Sequence, residues 1–354
     1  IWSGFSFDEY TRTAVVVTSN PGTVLGRNTN GDDYSVSVIA INIDDGNIKW
    51  QYKYIINDLW DYDLVSNPII VRNLSVSAQD DSVDCVIALT KTGDVIMLDL
   101  NTGQPIFPNS TRTITVPLSD IPNTQTSKTQ KQHLKPEPFA TINVDLANDF
   151  LHLAGDNSAF VQAKLRHAVT GLFVPPSVNY DAVVYGVHGG AEWPGGAILT
   201  RGDSTSLIVP ANRFADFIRV FYKDKAANAG FHPEYAAKCS DCHGESRQGY
   251  YQNDLEGDGF FPPLVGISMS EKWSKIDTVD ELVTLHRVFG IDLEIDESAY
   301  QSMMAYYADY DSEALQKGNL ELFGFWQLLL DKHNLPANKP PWGTITSINL
   351  NRGV

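Results

Sequence analysis

Short apolar runs, rich in β-branched side chains and closed off by Asn, Asp and Gly, fill the first part of the chain. Residues 14–18 (Ala14, Val15, Val16, Val17, Thr18) and 36–40 (Val36, Ser37, Val38, Ile39, Ala40) are of this kind, and the pattern predicts strands. One stretch repeats. Ala40-Ile41-Asn42-Ile43-Asp44-Asp45-Gly46 is echoed by Met97-Leu98-Asp99-Leu100-Asn101-Thr102-Gly103, and again by Ser347-Ile348-Asn349-Leu350-Asn351-Arg352-Gly353. Each copy is a strand running into an Asx turn, with glycine supplying the positive φ. The first copy leads into Asn47-Ile48-Lys49-Trp50, a further strand ending on a large aromatic. Residues 145–175 interrupt the β pattern, with a short helix expected over 157–167 ahead of the Val174-Pro175-Pro176-Ser177 break. Beyond residue 214 the character changes, and another helix is expected at Tyr235-Ala236-Ala237-Lys238. Thr278-Val279-Asp280-Glu281 is a capping box opening a helix through Leu282, Leu285 and Val288. Leu315, Leu322, Phe323, Trp326 and Leu329, at three-to-four spacing, predict a last helix over 312–333. Residues 118–138, rich in Thr, Gln, Lys and Pro, read as an exposed loop.

Strand, Asx-Gly turn, strand and tryptophan at a recurring interval is how a β-propeller blade reads. A blade exposes an apolar face that its neighbour covers, so stability needs a near-complete ring. The third repeat copy follows Lys339-Pro340-Pro341-Trp342, beyond the helical stretch, which places that stretch between blades rather than after them. The expected fold is mainly β, propeller blades forming an incomplete ring, with an inserted all-α domain. Residues 1–213 are expected to be blades, 214–337 the inserted domain and 338–354 the start of a further blade. The opening on Ile1-Trp2-Ser3-Gly4 and the late repeat predict a piece of a longer protein, whose remaining blades would close the ring.

Composition narrows the function. A chain of 354 residues, 43% hydrophobic, has core material for two domains. A net charge of −17 argues against nucleic acid as a partner. No apolar run approaches the ~18 residues of a membrane span. Of the three cysteines, Cys85 lies in the run Asp84-Cys85-Val86-Ile87-Ala88-Leu89 and reads as a small core residue. The other two stand in Cys239-Ser240-Asp241-Cys242-His243. This C-x-x-C-H pattern is the attachment signature of a c-type haem: two thiols add to the haem vinyl groups and His243 becomes an axial iron ligand. A zinc site is the competing reading, but it needs about four ligands, commonly two such pairs, and the sequence has no second pair. A thioredoxin-like site needs a βαβ frame, which the surrounding pattern does not offer.

Two further stretches resemble class I cytochromes c. Pro262-Pro263-Leu264-Val265-Gly266 is similar to the loop over the haem edge. Ser302-Met303-Met304-Ala305-Tyr306 resembles their M-P-A-F segment, with Met304 in place of proline. The resemblance implies a helix before, a helix after and a methionine between. Met303 is the implied second iron ligand, Met304 the alternative and Met269 a weaker candidate; for all of them core packing is the other reading. A His–Met pair gives a relatively high potential, suited to accepting electrons from a quinol.

The blade region resembles the pyrroloquinoline-quinone (PQQ) dependent dehydrogenases. Asn57-Asp58-Leu59-Trp60-Asp61-Tyr62-Asp63 looks like their D-x-W-D motif, and Thr18-Ser19-Asn20-Pro21 resembles T-G-N-P with Ser for Gly. Thr90-Lys91-Thr92-Gly93 resembles T-K-x-G, and Gly189-Gly190-Ala191-Glu192-Trp193-Pro194-Gly195 resembles G-G-x-x-W-x-G. The resemblance implies PQQ beside Ca²⁺ or a lanthanide and oxidation of an alcohol or sugar hydroxyl. A base removes the hydroxyl proton, hydride moves to the quinone and the metal polarises the quinone oxygen. Asp61 matches the base and a metal contact, and Asn20 a metal ligand. Lys91 matches the cation facing the reduced quinone, and Trp193 would lie against the cofactor. Asp63 matches the additional acid that accompanies lanthanides in methanol-oxidising members, though sugar-oxidising members carry an acid there too. Glu192 stands where relatives often have Asn, and no residue matches the family's metal-binding glutamate. Asp58 and Asp61 have turn capping as their plainer reading. The whole is expected to be a periplasmic quinohaemoprotein dehydrogenase that passes electrons from PQQ through haem c to an external acceptor, a cytochrome or the quinone pool. The alternative is an electron-transfer cytochrome on a propeller scaffold without substrate chemistry.

Overall fold

The computed structural model describes residues 3–20, 22, 32–77, 82–226, 232–251, 259–272, 276 and 278–354. Ile1, Trp2 and Pro21, used above, lie outside the described residues. Four strands form an antiparallel meander in chain order: β1 (Ser6–Asp8), β2 (Thr13–Val17), β3 (Ser37–Asn42) and β4 (Ile48–Lys53). A second sheet follows with β5 (Ile69–Ser75), β6 (Ser82–Leu89) and β7 (Val95–Asp99). Because side chains alternate across a strand, the two faces of this second sheet enter different cores. Val86, Ala88, Ile96 and Leu98 pack with Val15, Val17, Val38 and Ala40 of the first sheet. Cys85, Ile87, Val95 and Met97 pack the other way, with Leu207, Val209 and Ile348. Cys85 is fully buried, as expected.

The three repeat copies fold alike. In each, the glycine amide donates back to the residue that opens the turn: Gly46 to Asn42 and Gly353 to Asn349 at 2.8 Å, and Gly103 to Asp99 at 2.9 Å. Their φ values are 75°, 69° and 70° in the same order. The aromatic ending one blade packs on the turn glycine of the next. The Trp50 indole N–H donates to the Leu100 carbonyl at 2.9 Å, and a Cβ added to Gly103 would fall 2.6 Å from the Trp50 ring. Phe107 stands in the same relation to Gly353, at 3.0 Å. Gly103→Ala is therefore expected to destabilise by about 1–2 kcal/mol from left-handed backbone strain alone, with displacement of Trp50 added. A lower urea midpoint tests this, and an unchanged one would count against the docking.

After the hairpin of β8 (Thr111–Thr115) and β9 (Thr129–His133) come α1 (Gly155–Leu165), β10 (Ala168–Val169) and β11 (Asp181–Val184). The expectation of an exposed loop over 118–138 fails at β9. There Gln130 is buried because its amide exchanges hydrogen bonds with the Ile56 backbone, at 3.1 and 2.6 Å. Next are β12 (Ala197–Arg201), β13 (Ser204–Asn212) and β14 (Asp216–Asp224). The helical stretch holds α2 (Pro233–Lys238), α3 (Ser240–His243), the short pair β15 (Tyr250–Tyr251) and β16 (Phe260–Phe261), a 3₁₀ turn (Ile267–Met269), α4 (Val279–Val288) and α5 (Glu297–Gln316). Thr278 caps α4, its Oγ1 accepting from the Glu281 amide. The chain closes with β17 (Leu320–Leu328) and β18 (Gly343–Asn349).

Three expectations are corrected here. The inserted stretch 214–337 is not all-α, because β14 pairs with β17 and β15 with β16 inside it. The helix expected over 312–333 ends at Gln316, and residues 320–328 are strand. Gly318, at φ 69°, closes a Schellman motif: its amide donates to Leu315 and that of Asn319 to Ala314. Beyond it the aromatic-rich run pairs with β14 over nine residues, from Asp216↔Leu328 to Asp224↔Leu320. The methionines, expected between two helices, lie inside the 20-residue α5.

The insertion is nested. β13 pairs directly with β18 in a three-stranded sheet with β12, although residues 213–342 lie between them. Inside it, β14 and β17 join β11 and β10 in another sheet. This sheet also has two faces. Ala182, Val184, Ile218 and Trp326 pack with the first core, while Val183 and Phe217 pack with α1 residues Phe160 and Val161.

Candidate active site and a second cavity

Four of the expected site residues converge in one hydrogen-bonded cluster. Asp61 Oδ1 accepts from the Asn20 side-chain amide at 2.7 Å, and Asp61 Oδ2 accepts from Lys91 Nζ at 2.9 Å. Asp63 Oδ1 accepts from the Asn20 backbone amide at 2.5 Å. The local fold makes Asp61 available. Its φ is +67°, a costly conformation for a side-chain-bearing residue. Asp58 holds the loop in that shape, its two carboxylate oxygens each accepting 2.9 Å bonds from the Trp60 and Tyr62 amides. Trp60 and Tyr62 stack at 5.8 Å beneath, and the Trp60 indole N–H donates to Val174 O at 2.6 Å. Of the two aspartates with a capping alternative, Asp58 caps the turn, whereas Asp61 turns outward with its side chain one-third exposed.

The electrostatics follow from burial. Burial works against the charge of Lys91, but Asp61, Asp63 and Glu192 together outweigh it and raise the lysine's pKa. Burial, then the charge of Asp61, pushes Asp63 up. Gly190 comes from the expected turn and packs so tightly that a Cβ would lie 2.1 Å from the Lys91 carbonyl. In the same turn the Glu192 carbonyl accepts from Ser66 Oγ at 2.9 Å. Trp193 is 67% exposed. Asp61, Asp63 and Asn20 offer hard side-chain oxygens of the kind Ca²⁺ and lanthanides take. No group of three or more His, Cys, Asp or Glu suited to a metal occurs among the described residues, so this set alone is short of the usual 6–8 ligands.

Sequence reasoning passed over His188. Its ring Nδ1 meets Asp216 Oδ1 at 2.7 Å, and its amide donates to Asp216 Oδ2 at 3.2 Å. Asp216 is fully buried. The signal was His188's position directly before the Gly189-Gly190 turn. The bond to Asp216 raises the pKa of His188, and burial raises that of Asp216, so the two titrate as a pair. The stabilisation that protonated His188 brings is present in full below its ordinary 6.5 and is lost as pH rises through its raised value. The stability difference between wild type and His188→Asn is therefore expected to shrink from pH 6 to pH 9. Thermal melts across that range test it, and a constant difference would argue against the pairing.

The second site is a cavity of about 600 Å³ lined by Cys239, Cys242, His243, Met303 and Met304. Met269 is not on its lining. The thiols are free, and His243 is buried with Nδ1 against the Pro262 carbonyl at 2.8 Å. That bond fixes the ring and leaves Nε2 for a metal. Burial lowers His243 to about 4, which keeps the ring neutral, as a ligand must be. The Pro262–Gly266 stretch, expected over a haem edge, reaches His243 through the Pro262 carbonyl. Met303 is buried with Tyr235, Tyr300 and Tyr307.

A propeller with this cluster at its motifs defines the class. The family model "PQQ: Glucose/ethanol/alcohol dehydrogenase, beta-propeller domain" matches residues 1–281, and the chain belongs to that family. It is 28% identical over 199 residues to a probable quinate dehydrogenase (quinone) of Xanthomonas campestris pv. juglandis, covering 55% of this chain and 25% of that protein. It is 31% identical over 174 residues to quinoprotein glucose dehydrogenase A of Acinetobacter calcoaceticus, covering 46% and 20%. The quinohemoprotein alcohol dehydrogenase of Comamonas testosteroni aligns with a TM-score of 0.37 and 18% identity, over 65% of this chain and 28% of that one. The chain thus spans about a quarter of the length of the curated relatives it matches.

Proposed function

We propose that this chain belongs to a quinohaemoprotein dehydrogenase that oxidises an alcohol or sugar hydroxyl. The observation that carries the reading is the convergence of Asn20, Asp61, Asp63 and Lys91 within a PQQ-family propeller. Asp61 accepts the substrate's hydroxyl proton; one-third exposed and held by two donors, it is both reachable and oriented. Lys91 sets a buried positive charge where negative charge develops, a preorganised electrostatic role. Asn20, Asp61 and Asp63 are the side chains here that would contact Ca²⁺ or a lanthanide. PQQ, when bound, supplies the two-electron acceptor.

The helical stretch between β13 and β18 is the electron outlet. Cys239 and Cys242 would hold haem c by thioether bonds, and His243 and Met303 would ligate its iron. The haem supplies one-electron transfer to an external cytochrome or quinone. Covalent haem and PQQ chemistry of this kind belong to the periplasm, and no helix among the described residues is long and apolar enough to cross a membrane. A pyridine haemochrome spectrum and intact mass of protein produced with c-type maturation test the haem. Adding PQQ with Ca²⁺ or a lanthanide to the full-length parent is expected to give haem reduction that depends on an alcohol or aldose. Haem that stays oxidised across such a panel would sink the enzyme reading.

A further inference from the structure

One imidazole beside the active site has no part in the scheme above. His188 lies in the segment that leads from β11 into the Gly189-Gly190 turn, and two close contacts fix that segment against the Asp61 cluster. A Cβ added to Gly186 would fall 2.4 Å from the ring of Tyr62, the residue after Asp61. One added to Gly190 would fall 2.1 Å from the carbonyl oxygen of Lys91, whose Nζ donates to Asp61. The Ala191 amide then donates to Thr90 O at 3.1 Å. His188 thus stands between a contact with the neighbour of Asp61 and a contact with its hydrogen-bond donor.

The bonds of His188 are those of an oriented base. Asp216 Oδ1 meets its Nδ1 at 2.7 Å, and Asp216 Oδ2 accepts from its amide at 3.2 Å. A carboxylate on Nδ1 fixes the tautomer with the proton there and leaves the lone pair on Nε2. Nε2 has no hydrogen-bond partner among the described residues, and the side chain is 54% exposed. Asp216 itself is wholly buried. A buried carboxylate is costly, and here the cost falls on holding a ring that opens to water. Three charged groups face that ring among the described residues: Asp216 and Glu192 favour the imidazolium, and Lys91 opposes it.

Oxidation of a hydroxyl releases two electrons and two protons. The electrons and one proton leave by the cofactor and its acceptor; Asp61 takes the hydroxyl proton and must shed it before the next turnover. Resting on the dehydrogenase reading above, we propose that His188, held by Asp216, is the proton outlet of this site. Protonated Asp61 passes its proton through water to Nε2 of His188. The Asp61 O–H bond breaks, a His188 N–H bond forms, and no electron moves. The step runs downhill, because an imidazole binds a proton more tightly than a carboxylate does. Asp216 stabilises the imidazolium across Nδ1–H, and Nε2 then releases the proton to bulk water. Asp61 is left ionised again, facing Lys91.

The test uses the full-length parent with PQQ and Ca²⁺ or a lanthanide, and the variants His188→Ala and Asp216→Asn. Wild-type kcat is expected to rise with pH through the titration of His188, since only the neutral ring takes a proton. His188→Ala is expected to lose that limb, to fall by about 10²-fold in kcat with KM little changed, and to regain rate in proportion to added imidazole. A second readout needs no turnover. Diethyl pyrocarbonate acylates only a neutral, accessible ring, and peptide mass mapping follows it at His188. The reaction is expected to set in above pH 6.5, the ordinary histidine value, and at lower pH in Asp216→Asn. If Asp216→Asn does not accumulate, the pH profile and imidazole rescue of His188→Ala decide alone. An unchanged kcat in His188→Ala would overturn the proposal. So would a lower kcat that keeps the wild-type limb and ignores imidazole, because it shows a merely structural histidine, or a ring that resists the reagent at every pH. Wild-type protein that oxidises no alcohol or aldose would instead refute the dehydrogenase reading, before any variant is compared.

Discussion

Asp61→Asn in the full-length protein is expected to lower kcat by about 10²- to 10⁴-fold, the contribution of a positioned general base. The substitution is conservative in shape, and asparagine adopts the left-handed backbone that Asp61 occupies more readily than most residues. The loop should therefore survive, with Asp58 still holding the Trp60 and Tyr62 amides. What is lost is proton affinity and the negative charge facing Lys91 at 2.9 Å. KM should change less than kcat, since the proton moves in the transition state. Steady-state kinetics with a saturating acceptor measure both, and a kcat within about threefold of wild type would remove Asp61 from the role of base.

The largest stability effect is expected at Asp311. Its carboxylate meets Arg247 Nη2 at 2.8 Å, and neither side chain is exposed at all. Arg247 also lies 3.9 Å from the Tyr307 ring centroid and donates to the Leu264 carbonyl at 3.1 Å. The pair thus fastens the segment after His243 to the helix that carries Met303. Asp311→Ala leaves a guanidinium buried without its counter-charge, at a cost of about 3–5 kcal/mol. The double variant Arg247→Met/Asp311→Leu should recover most of that, because it removes the stranded charge along with its partner. Denaturant unfolding of the three proteins tests both statements. A single variant within about 1 kcal/mol of wild type would contradict the first, and a double variant no better than the single would contradict the second.

The blade repeats were legible because their signal is local. A glycine that must take positive φ and an Asx side chain that bonds its own turn write themselves into a few consecutive residues, and Gly46, Gly103 and Gly353 obey. The Asn20, Asp61 and Lys91 set was legible from motif resemblance. What periodicity could not do was separate helix from strand beyond Gln316. There Leu322, Phe323, Trp326 and Leu329 satisfy a helical stripe, while Gly318 and the aromatic run argue for a stop and a strand. The partner strand β14 settles that contest from about a hundred residues away, beyond the reach of a local pattern. His188 was missed for a similar reason, since its meaning comes from Asp216 on another strand.

The nesting of β13 and β18 around residues 213–342 has a kinetic side. Closing a flexible loop of that length costs roughly 3 kcal/mol more than closing a hairpin of about five residues. Had the intervening chain stayed unstructured, the outer pair would be slow to form. The nine-residue register of β14 with β17 meets most of that penalty first, so the flanking segments are already together when β18 meets β13. The order of assembly is thereby biased from the inside out. The blade that ends this chain is sealed last, after the segment that would carry the haem has already folded.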